Sequence, residues 1–272
     1  MTEETSAMML VDTSLARRLE LSDALSNVGC VETQQGSGTA AVLRIAGGYA
    51  TYAGPMSPNN RAVGLGLSGP VSAEELDQVE AFFGAHEAPP GVDVCPLADP
   101  SLVELLGQRG YRLRDFYDVC IRPLRREDAS FTPPAGMRVR AITPDEATLW
   151  AETVSRGFMG QEELTPEDVE IGLSIYRNPA TTCFLAWLDG EPAGAGALEC
   201  HEGVAYLMGT SCRMAWRGRG VQAALLHARV AEAVARGCEL AMTQATPGTG
   251  SRRNVERAGF RLAYTKPTLS RP

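Results

Sequence analysis

The segment that most constrains this chain lies between residues 206 and 235, where a strand, a glycine-rich turn and a helix follow one another. The strand reads YLMGTSCR, the turn contains RGRG at 217–220, and the apolar positions of VQAALLHARVAEAV recur with a helical period. A glycine-rich turn at a helix start presents free N–H groups and the positive end of the helix dipole. The segment predicts an α/β fold with an anion site, and a phosphate would fit such a turn.

Other interpretations of the Arg-Gly alternation are weakened by composition and by motif order. The net charge of −8 and the pI near 5.1 argue against a general nucleic-acid binder, which needs a basic surface. The chain has no GxxxxGK[ST] and no GxGxxG followed by an acid about twenty residues later. Two interpretations of the turn remain: a phosphate site, and a solvated helix start that carries two surface arginines.

Several absences narrow the class of protein further. The N-terminal segment MTEETSAMMLVDTSLARR has acidic residues and no apolar core of signal length, and no run approaches the ~18 apolar residues of a membrane span. The seven cysteines form no C-x-x-C, and the three histidines have no acid or cysteine at ligand spacing. These features predict a cytoplasmic protein with reduced thiols, which has no metal site and binds neither membranes nor nucleic acid.

The chain divides into two halves that end with a similar order of predicted elements. Residues 122–136, RPLRREDASFTPPAG, form a polar, proline-bearing stretch that is typical of a linker. Before this stretch and again before the C-terminus, a helical segment is followed by Gly-aromatic-Arg-Leu and a strand-like run. The predicted organisation is therefore a first domain at 1–121, a linker at 122–136 and a second domain at 137–272.

The second half has the clearer signals. Helices are predicted after Thr143-Pro144 and after Thr165-Pro166, followed by three antiparallel strands in 183–213. Gly237 is expected just beyond the end of the glycine-turn helix. In the first half, alternation in VGLGL (63–67) predicts a strand, and Ser72 with Glu75 predicts a capping box.

With these elements in place, the second half resembles the GCN5-related N-acetyltransferase superfamily. Arg217-Gly218-Arg219-Gly220-Val221-Gln222 fills the pattern Q/R-x-x-G-x-G/A between a strand and a helix, and ERAGFRL matches a second signature. The resemblance implies an α/β (α+β) fold of tandem acetyltransferase-like domains, each with a mixed, mostly antiparallel sheet flanked by helices. It also implies acetyl-CoA as co-substrate, and the expected cofactor-binding residues are Ser211, Cys212, Arg213, Arg217, Gly218, Arg219, Gly220, Val221, Gln222 and Asn254.

Three positions depart from the family pattern. Gln222 replaces a small residue, Val255 stands where many members carry a tyrosine that protonates the thiolate, and Gly248 stands where many carry an asparagine. The segment SRRNVERAGF resembles a branch with serine eight residues before the glycine. This makes Ser251 the leading candidate to meet the CoA sulfur, with a helix N-cap as its alternative. Asn254 would bond the cofactor or cap the helix.

The base that would accept the amine proton is not evident in the central strands. The hairpin at 201–203 is expected to place Glu199 opposite Ala205, roughly 23 Å from Cys212 at ~3.3 Å per residue, which is too far for proton transfer. The loop GFMGQEEL (157–164) is the expected acceptor site, with Phe158, Glu162 and Glu163 as substrate residues. Glu162 is the candidate base. The alternative is that the loop is only solvated and acidic. Direct attack is favoured over a covalent route through Cys212.

The first half lacks the R-x-x-G-x-G pattern and is expected to be a degenerate domain that helps to wall the acceptor site. As a whole, the chain resembles two-domain acetyltransferases that modify the aminoglycoside kasugamycin at its 2′-amino group. That resemblance predicts an antibiotic-resistance enzyme acting on a small cationic amine, as a monomer or homodimer. Alternative acceptors are a protein N-terminus and a mycothiol-type cysteinyl sugar. A non-catalytic CoA-binding regulator is the alternative of a different class.

Overall fold

The computed structural model describes residues 10–34, 40–55 and 57–271. The helices are α1 (Thr13–Glu32), α2 (Ala73–Gly84), α3 (Pro100–Gln108), α4 (Ala147–Met159), α5 (Pro166–Arg177), α6 (Val221–Ala235) and α7 (Gly250–Arg257). The strands are β1 (Ala40–Ile45), β2 (Gly48–Ala53), β3 (Arg61–Val63), β4 (Gly91–Asp93), β5 (Arg112–Pro123), β6 (Met137–Ala141), β7 (Thr182–Leu188), β8 (Glu191–His201), β9 (Val204–Cys212), β10 (Leu240–Ala245) and β11 (Arg261–Ser270). None of the helices in these ranges is long and apolar enough to cross a membrane.

The described strands form one sheet in the order β1-β2-β3-β4-β11-β5-β10-β9-β8-β7-β6. Two neighbouring pairs, β3 with β4 and β9 with β10, are parallel, and the other pairs are antiparallel. The predicted mixed α/β fold with a mostly antiparallel sheet is therefore confirmed. The two halves of the chain, however, share a single sheet rather than carrying one each.

The halves share the sheet because each places its last strand beside strands of the other. Strand β5, from the first half, lies between β10 and β11 and pairs antiparallel with both. Strand β11, from the second half, also pairs with β4, from Thr268↔Asp93 to Ser270↔Gly91. The predicted domain boundaries at 121 and 137 stay a prediction, but the backbone hydrogen bonds between the halves are extensive.

Local signals placed the helices well. Ser72 and Glu75 form the expected capping box at α2, and Thr165 forms one with Asp168 at α5. Thr143 caps a short 3-10 turn (Pro144–Glu146) that leads into α4, and Gly237 has the left-handed φ of 77° expected beyond α6. These ends satisfy backbone groups that a helix cannot bond internally.

Two strand predictions were wrong in detail. The strand predicted at 63–67 ends at Val63, because Gly64 and Gly66 take left-handed φ values of 79° and 73° and turn the chain. Glu199 pairs with Tyr206 rather than Ala205, because the turn has two residues, 202 and 203, instead of the predicted three. His201 therefore lies opposite Val204. This one-residue difference sets which face of the sheet each side chain occupies.

Alternating residues of β8 distinguish the two faces of the sheet. Ala195 and Ala197 pack in one cluster with α4, whereas a Cβ at Gly196 would lie 2.9 Å from the Arg229 guanidinium carbon on α6. Helices α4 and α6 therefore cover opposite faces.

Buried ionic groups fasten α1 to strands of both halves. Lys266 of β11 donates to Glu20 at 2.9 Å and to Asp23 at 2.8 Å. Arg61 of β3 donates to Asp23 at 3.1 Å and to Asp93 at 3.0 Å. We call these five side chains the Lys266 cluster. Although burial alone would raise the pKa of Asp23, the charges of Arg61 and Lys266 hold that pKa below its ordinary value.

Candidate functional site

The site begins where two adjacent parallel strands of the sheet, β9 and β10, separate. Strands β9 and β10 pair only from Leu240↔Val204 to Met242↔Tyr206. Beyond this point β10 stays paired with β5 as far as Ala245, and β9 stays paired with β8 as far as Cys212. The outer halves of β9 and β10 therefore leave a gap in the sheet, lined by backbone groups and by side chains of both faces.

A β-bulge in β9 accompanies this separation. The register passes from Ala197↔Met208 to Ala195↔Ser211, so β9 carries one extra residue, and Gly209 there has a left-handed φ of 59°. Arg229 of α6 stabilises the bulge by two hydrogen bonds. It donates to the Met208 carbonyl at 3.0 Å and to Thr210 Oγ1 at 2.7 Å. Burial lowers the pKa of Arg229 to about 9, so this guanidinium is still charged at neutral pH.

A cavity of about 1080 Å³ occupies the gap and extends past both faces of the sheet. It is lined by the outer part of β9, the glycine-rich turn, the start of α6, the end of β10 and most of α7. Four residues of the first half complete the wall: Pro58, Asn59, Arg61 and Tyr117. No aspartate or glutamate occurs among the described residues of the lining, whose charged side chains are the arginines Arg61, Arg217 and Arg257.

The glycine-rich turn lies at one end of the cavity and has the conformation of an anion cradle. Gly218 and Gly220 have left-handed φ values of 76° and 84°, and no atom lies within 4 Å of a Cβ built on either. The first hydrogen bond of α6 runs from Ala224 N to Gly220 O, so the three preceding helical N–H groups have no partner within the helix. This open surface of backbone donors fits the phosphates of CoA.

The three predicted cofactor-binding arginines take different positions. Arg217 lines the cavity and donates to the carbonyls of Cys212 and Gly157. Arg219 turns outward to Asp189 at 2.7 Å, with its guanidinium 4.9 Å from the Trp216 ring centroid. Arg213 bonds Pro192 O and Glu162, so neither Arg213 nor Arg219 is part of the lining.

Of the predicted cofactor-binding residues at the end of β9, namely Ser211, Cys212 and Arg213, one has a backbone amide that faces the gap. Arg213 N donates to Ala193 O at 3.0 Å, so this amide is already used within the sheet. Ser211 pairs with Ala195 of β8, and its hydroxyl donates to Val154 O on α4 at 2.8 Å. Because successive backbone groups point to opposite edges of a strand, Cys212 is the residue of this segment whose amide faces the opening.

Gln222, which departs from the family pattern, connects the predicted cofactor-binding residue Asn254 with Ser251, the candidate to meet the CoA sulfur. Its Nε2 donates to Ser251 Oγ at 2.7 Å, and its Oε1 accepts from Asn254 Nδ2 at 2.8 Å. All three side chains line the cavity. The proposed alternative for Ser251, an N-cap, is wrong, because Thr249 caps α7 by accepting from Arg252 N. Ser251 is therefore available for a role in the cavity.

The loop predicted to form the acceptor site divides between two places. Phe158 lines the cavity, and its side chain is exposed. Glu162 and Glu163 line a separate shallow recess instead. The carboxylate of Glu162 lies 2.7 Å from Arg213 Nη2 and 3.7 Å from Arg156 Nε. To act as the base, Glu162 would have to leave these two guanidinium groups.

Tyr117 and His227 line the cavity but carried no recognisable sequence signal, whereas Cys212 was already an expected cofactor-binding residue. Tyr117 comes from β5 of the first half, and burial raises the pKa of its phenol, which stays protonated at neutral pH. Burial and then the charge of Arg122 lower the pKa of His227, whose ring stacks on Phe131. Burial also raises the pKa of the Cys212 thiol, which disfavours the reactive thiolate. Tyr117 and His227 reach the cavity through contacts between distant segments, so spacing could not reveal them.

In a comparison with known protein families, a region of the second half of the chain has a match. Residues 147–260, from α4 to the turn before β11, match the model of the acetyltransferase (GNAT) family. No curated protein sequence matches the chain. The matched region contains the glycine-rich turn, the bulged strand and the Gln222–Ser251–Asn254 contacts.

Solved structures match over nearly the whole chain. A GCN5-related N-acetyltransferase from Kribbella flavida has a TM-score of 0.64 and 18% identity, covering 91% of this chain and 95% of its own. A tandem GNAT protein from the clavulanic acid biosynthesis pathway has a TM-score of 0.59 and 17% identity, covering 96% of each chain. A third, from Sphaerobacter thermophilus, has a TM-score of 0.57 and 20% identity, covering 85% of this chain and 75% of its own. At these identities the similarity establishes the fold.

Proposed function

We propose that the acceptor of this enzyme is the primary amine of a small molecule bound between the two halves of the chain. The family match of residues 147–260 makes the chain an N-acetyltransferase that uses acetyl-CoA. Acetyl-CoA would supply the activated acetyl group, with its phosphates over Gly218 and Gly220 and its thiol end toward the gap between β9 and β10. The observation that carries the proposal is one cavity that joins this cradle to a wall built by the first half.

The composition of the wall supports attack by a neutral amine without a carboxylate as base. The described lining contains arginines and no aspartate or glutamate. Nearby positive charges lower the pKa of a bound ammonium group and so favour the uncharged nucleophile. Arg217 and Arg257, which form no described ion pair, therefore favour an amine that reaches the site neutral, with water or a backbone carbonyl receiving its proton.

The first half supplies the residues that we assign to acceptor binding. Asn59 precedes β3, and Tyr117 lies on β5, so both line the cavity from the first half of the chain. Both offer hydrogen bonds to a polar acceptor. We expect Tyr117→Phe to raise the KM of the acceptor at least threefold and leave the KM of acetyl-CoA unchanged. Tyr176→Phe on α5, outside the cavity lining, is the matched control. An unchanged acceptor KM in Tyr117→Phe would remove this residue from the acceptor site.

An aminoglycoside such as kasugamycin is the finer prediction, and it makes antibiotic resistance the expected biological role. The net charge of −8 attracts cations at long range, in support of this acceptor. The described cavity, in contrast, has no carboxylate to pair with a polycation. Local chemistry therefore supports a small polar monoamine at least as well.

The deciding experiment is an acceptor panel with release of free CoA thiol as the readout. The panel contains kasugamycin, other aminoglycosides, peptides with free N-termini and a cysteinyl sugar, each with acetyl-CoA at saturation. Thiol release that depends on one class of amine, with the acetylated product identified by mass, assigns the acceptor. If acetyl-CoA binds by calorimetry but no amine of the panel stimulates release, the proposed acceptor class is wrong.

A further inference from the structure

We propose that Gln222 is a positioning residue that aims the hydroxyl proton of Ser251 at the sulfur of bound CoA. The inference rests on the proposed function and deepens it by assigning a role to the residue that departs most from the family pattern. Gln222 is the second residue of α6, and Ser251 is the second residue of α7. Both side chains line the cavity beside the cradle.

The first step is the pairing of the Gln222 amide at both ends. Asn254 Nδ2 donates to Gln222 Oε1 at 2.8 Å, which uses the carbonyl end of the amide. The NH2 end then faces Ser251 and donates to Oγ at 2.7 Å. With the Asn254 NH2 group as donor, a reversed Gln222 amide would place two NH2 groups against each other, so the NH2 end of Gln222 meets the serine.

The second step follows from the hydrogen-bonding capacity of a serine hydroxyl, which has one proton and two lone pairs. Gln222 occupies one lone pair, so the proton of Ser251 cannot point along that contact. Ser251 is exposed and lines the cavity, and among the described hydrogen bonds its hydroxyl donates to no protein acceptor. The proton is thus left for a group that enters the cavity.

The third step is the use of that proton during acetyl transfer. The nitrogen–carbon bond forms as the carbon–sulfur bond breaks, and the proton lost by the amine balances the one gained by CoA sulfur. A hydrogen bond from Ser251 to the sulfur favours its charged form while the bond breaks. A small residue at position 222, as in the family pattern, has no amide to direct the serine in this way.

The experiment measures the pKa of the thiol of bound CoA from the ultraviolet absorbance of its thiolate, with the protein saturated and CoA affinity checked by calorimetry. A serine that donates to the sulfur lowers this pKa. We expect Ser251→Ala to raise the bound thiol pKa by about one unit, a tenfold change in the ionisation constant. Gln222→Met, which keeps the length of the side chain without hydrogen bonds, is expected to raise it by a similar amount. The double variant should show no further change.

Gln222→Glu is the discriminating variant. A glutamate can only accept, so it draws the Ser251 proton to itself, and the bound thiol pKa should rise as in Ser251→Ala. Asn254→Asp is expected to act likewise, because an aspartate would attract the NH2 end of Gln222 and turn its carbonyl toward the serine. A bound thiol pKa that matches the unaltered protein in Gln222→Glu would show that Ser251 already donates to residue 222, and would overturn the inference.

Steady-state kinetics on the same variants separate positioning from cofactor binding. The inference expects kcat to fall in Gln222→Met and Ser251→Ala, with the KM of acetyl-CoA changed less than threefold. An equal rise in the KM of acetyl-CoA without a change in kcat would instead make Gln222 a part of the cradle only. The pKa titration needs no acceptor, so failure to find an amine substrate leaves this test intact.

Discussion

Gly220 and Gly237 flank the two ends of α6, and each can be replaced by alanine. The variant at Gly237 then serves as the control for the variant at Gly220, which lies in the cradle. Gly220 begins the helix with φ 84°, and Gly237 follows its end with φ 77°. For both, a Cβ built on the backbone meets no atom within 4 Å. Alanine at either position therefore causes the same backbone strain and no clash with the protein. Only Gly220 lines the cavity.

The expected magnitudes follow from this geometry. A left-handed conformation costs a residue with a Cβ about 1–2 kcal/mol, so Gly220→Ala and Gly237→Ala should lose similar free energies of unfolding. At about 2–4 °C per kcal/mol, both variants should melt roughly 2–8 °C below the unaltered protein. If the phosphates of CoA lie over the glycine-rich turn, the methyl group added in Gly220→Ala also stands in their way. We expect its Kd for CoA to rise at least about tenfold, which corresponds to ~1.4 kcal/mol.

Differential scanning calorimetry gives the two stabilities, and isothermal titration with CoA gives the two affinities. The result that supports the cradle is a pair of variants with matched melting temperatures and unmatched affinities. If Gly220→Ala binds CoA as tightly as Gly237→Ala does, the phosphates do not lie over the glycine-rich turn. If both lose affinity together, the effect comes from loosening of α6 rather than from the site.

Two further predictions concern charges away from the cradle. Lys266→Met should lower the free energy of unfolding by about 3–5 kcal/mol in urea titrations, because it leaves Glu20 buried without a cation while Asp23 keeps Arg61. A loss below about 1 kcal/mol would show that Glu20 finds another partner. Glu162→Gln should change kcat less than tenfold, because Arg213 already holds this carboxylate outside the cavity lining. A fall of about 10²–10⁴-fold with loss of the basic pH dependence would instead assign Glu162 as the base.

The parts of the fold that sequence predicted are those set by neighbours along the chain. The turn at Gly218 and Gly220, the caps at Ser72 and Thr165, and the end of α6 at Gly237 all depend on a few consecutive residues. Such features are decided by backbone conformation and by local hydrogen bonds. Their order along the chain underlies the family resemblance that implied the fold and the cofactor.

The parts that sequence did not predict depend on segments far apart in the chain. Nothing in the residues around Tyr117 indicates that β5 inserts between β10 and β11, and this insertion is what brings Tyr117 to the cavity. Gln222 looked like a poor fit to the cradle, and its role emerges only from its contact with α7. The pairing of Glu199 was misjudged by one residue, because the exact closure of a hairpin depends on turn geometry that composition leaves open.

The Lys266 cluster has a consequence for the chemistry of the protein surface. Lys266 is the only lysine in the sequence, and its side chain is fully buried. Every other cationic side chain of the Lys/Arg class is an arginine, which acetyl donors do not modify under mild conditions. The folded enzyme therefore offers no exposed lysine amine that could compete with its substrate for acetyl groups. An amine-reactive reagent that labels Lys266 would report the opening of the contact between α1 and β11, so this one residue is a natural probe of unfolding.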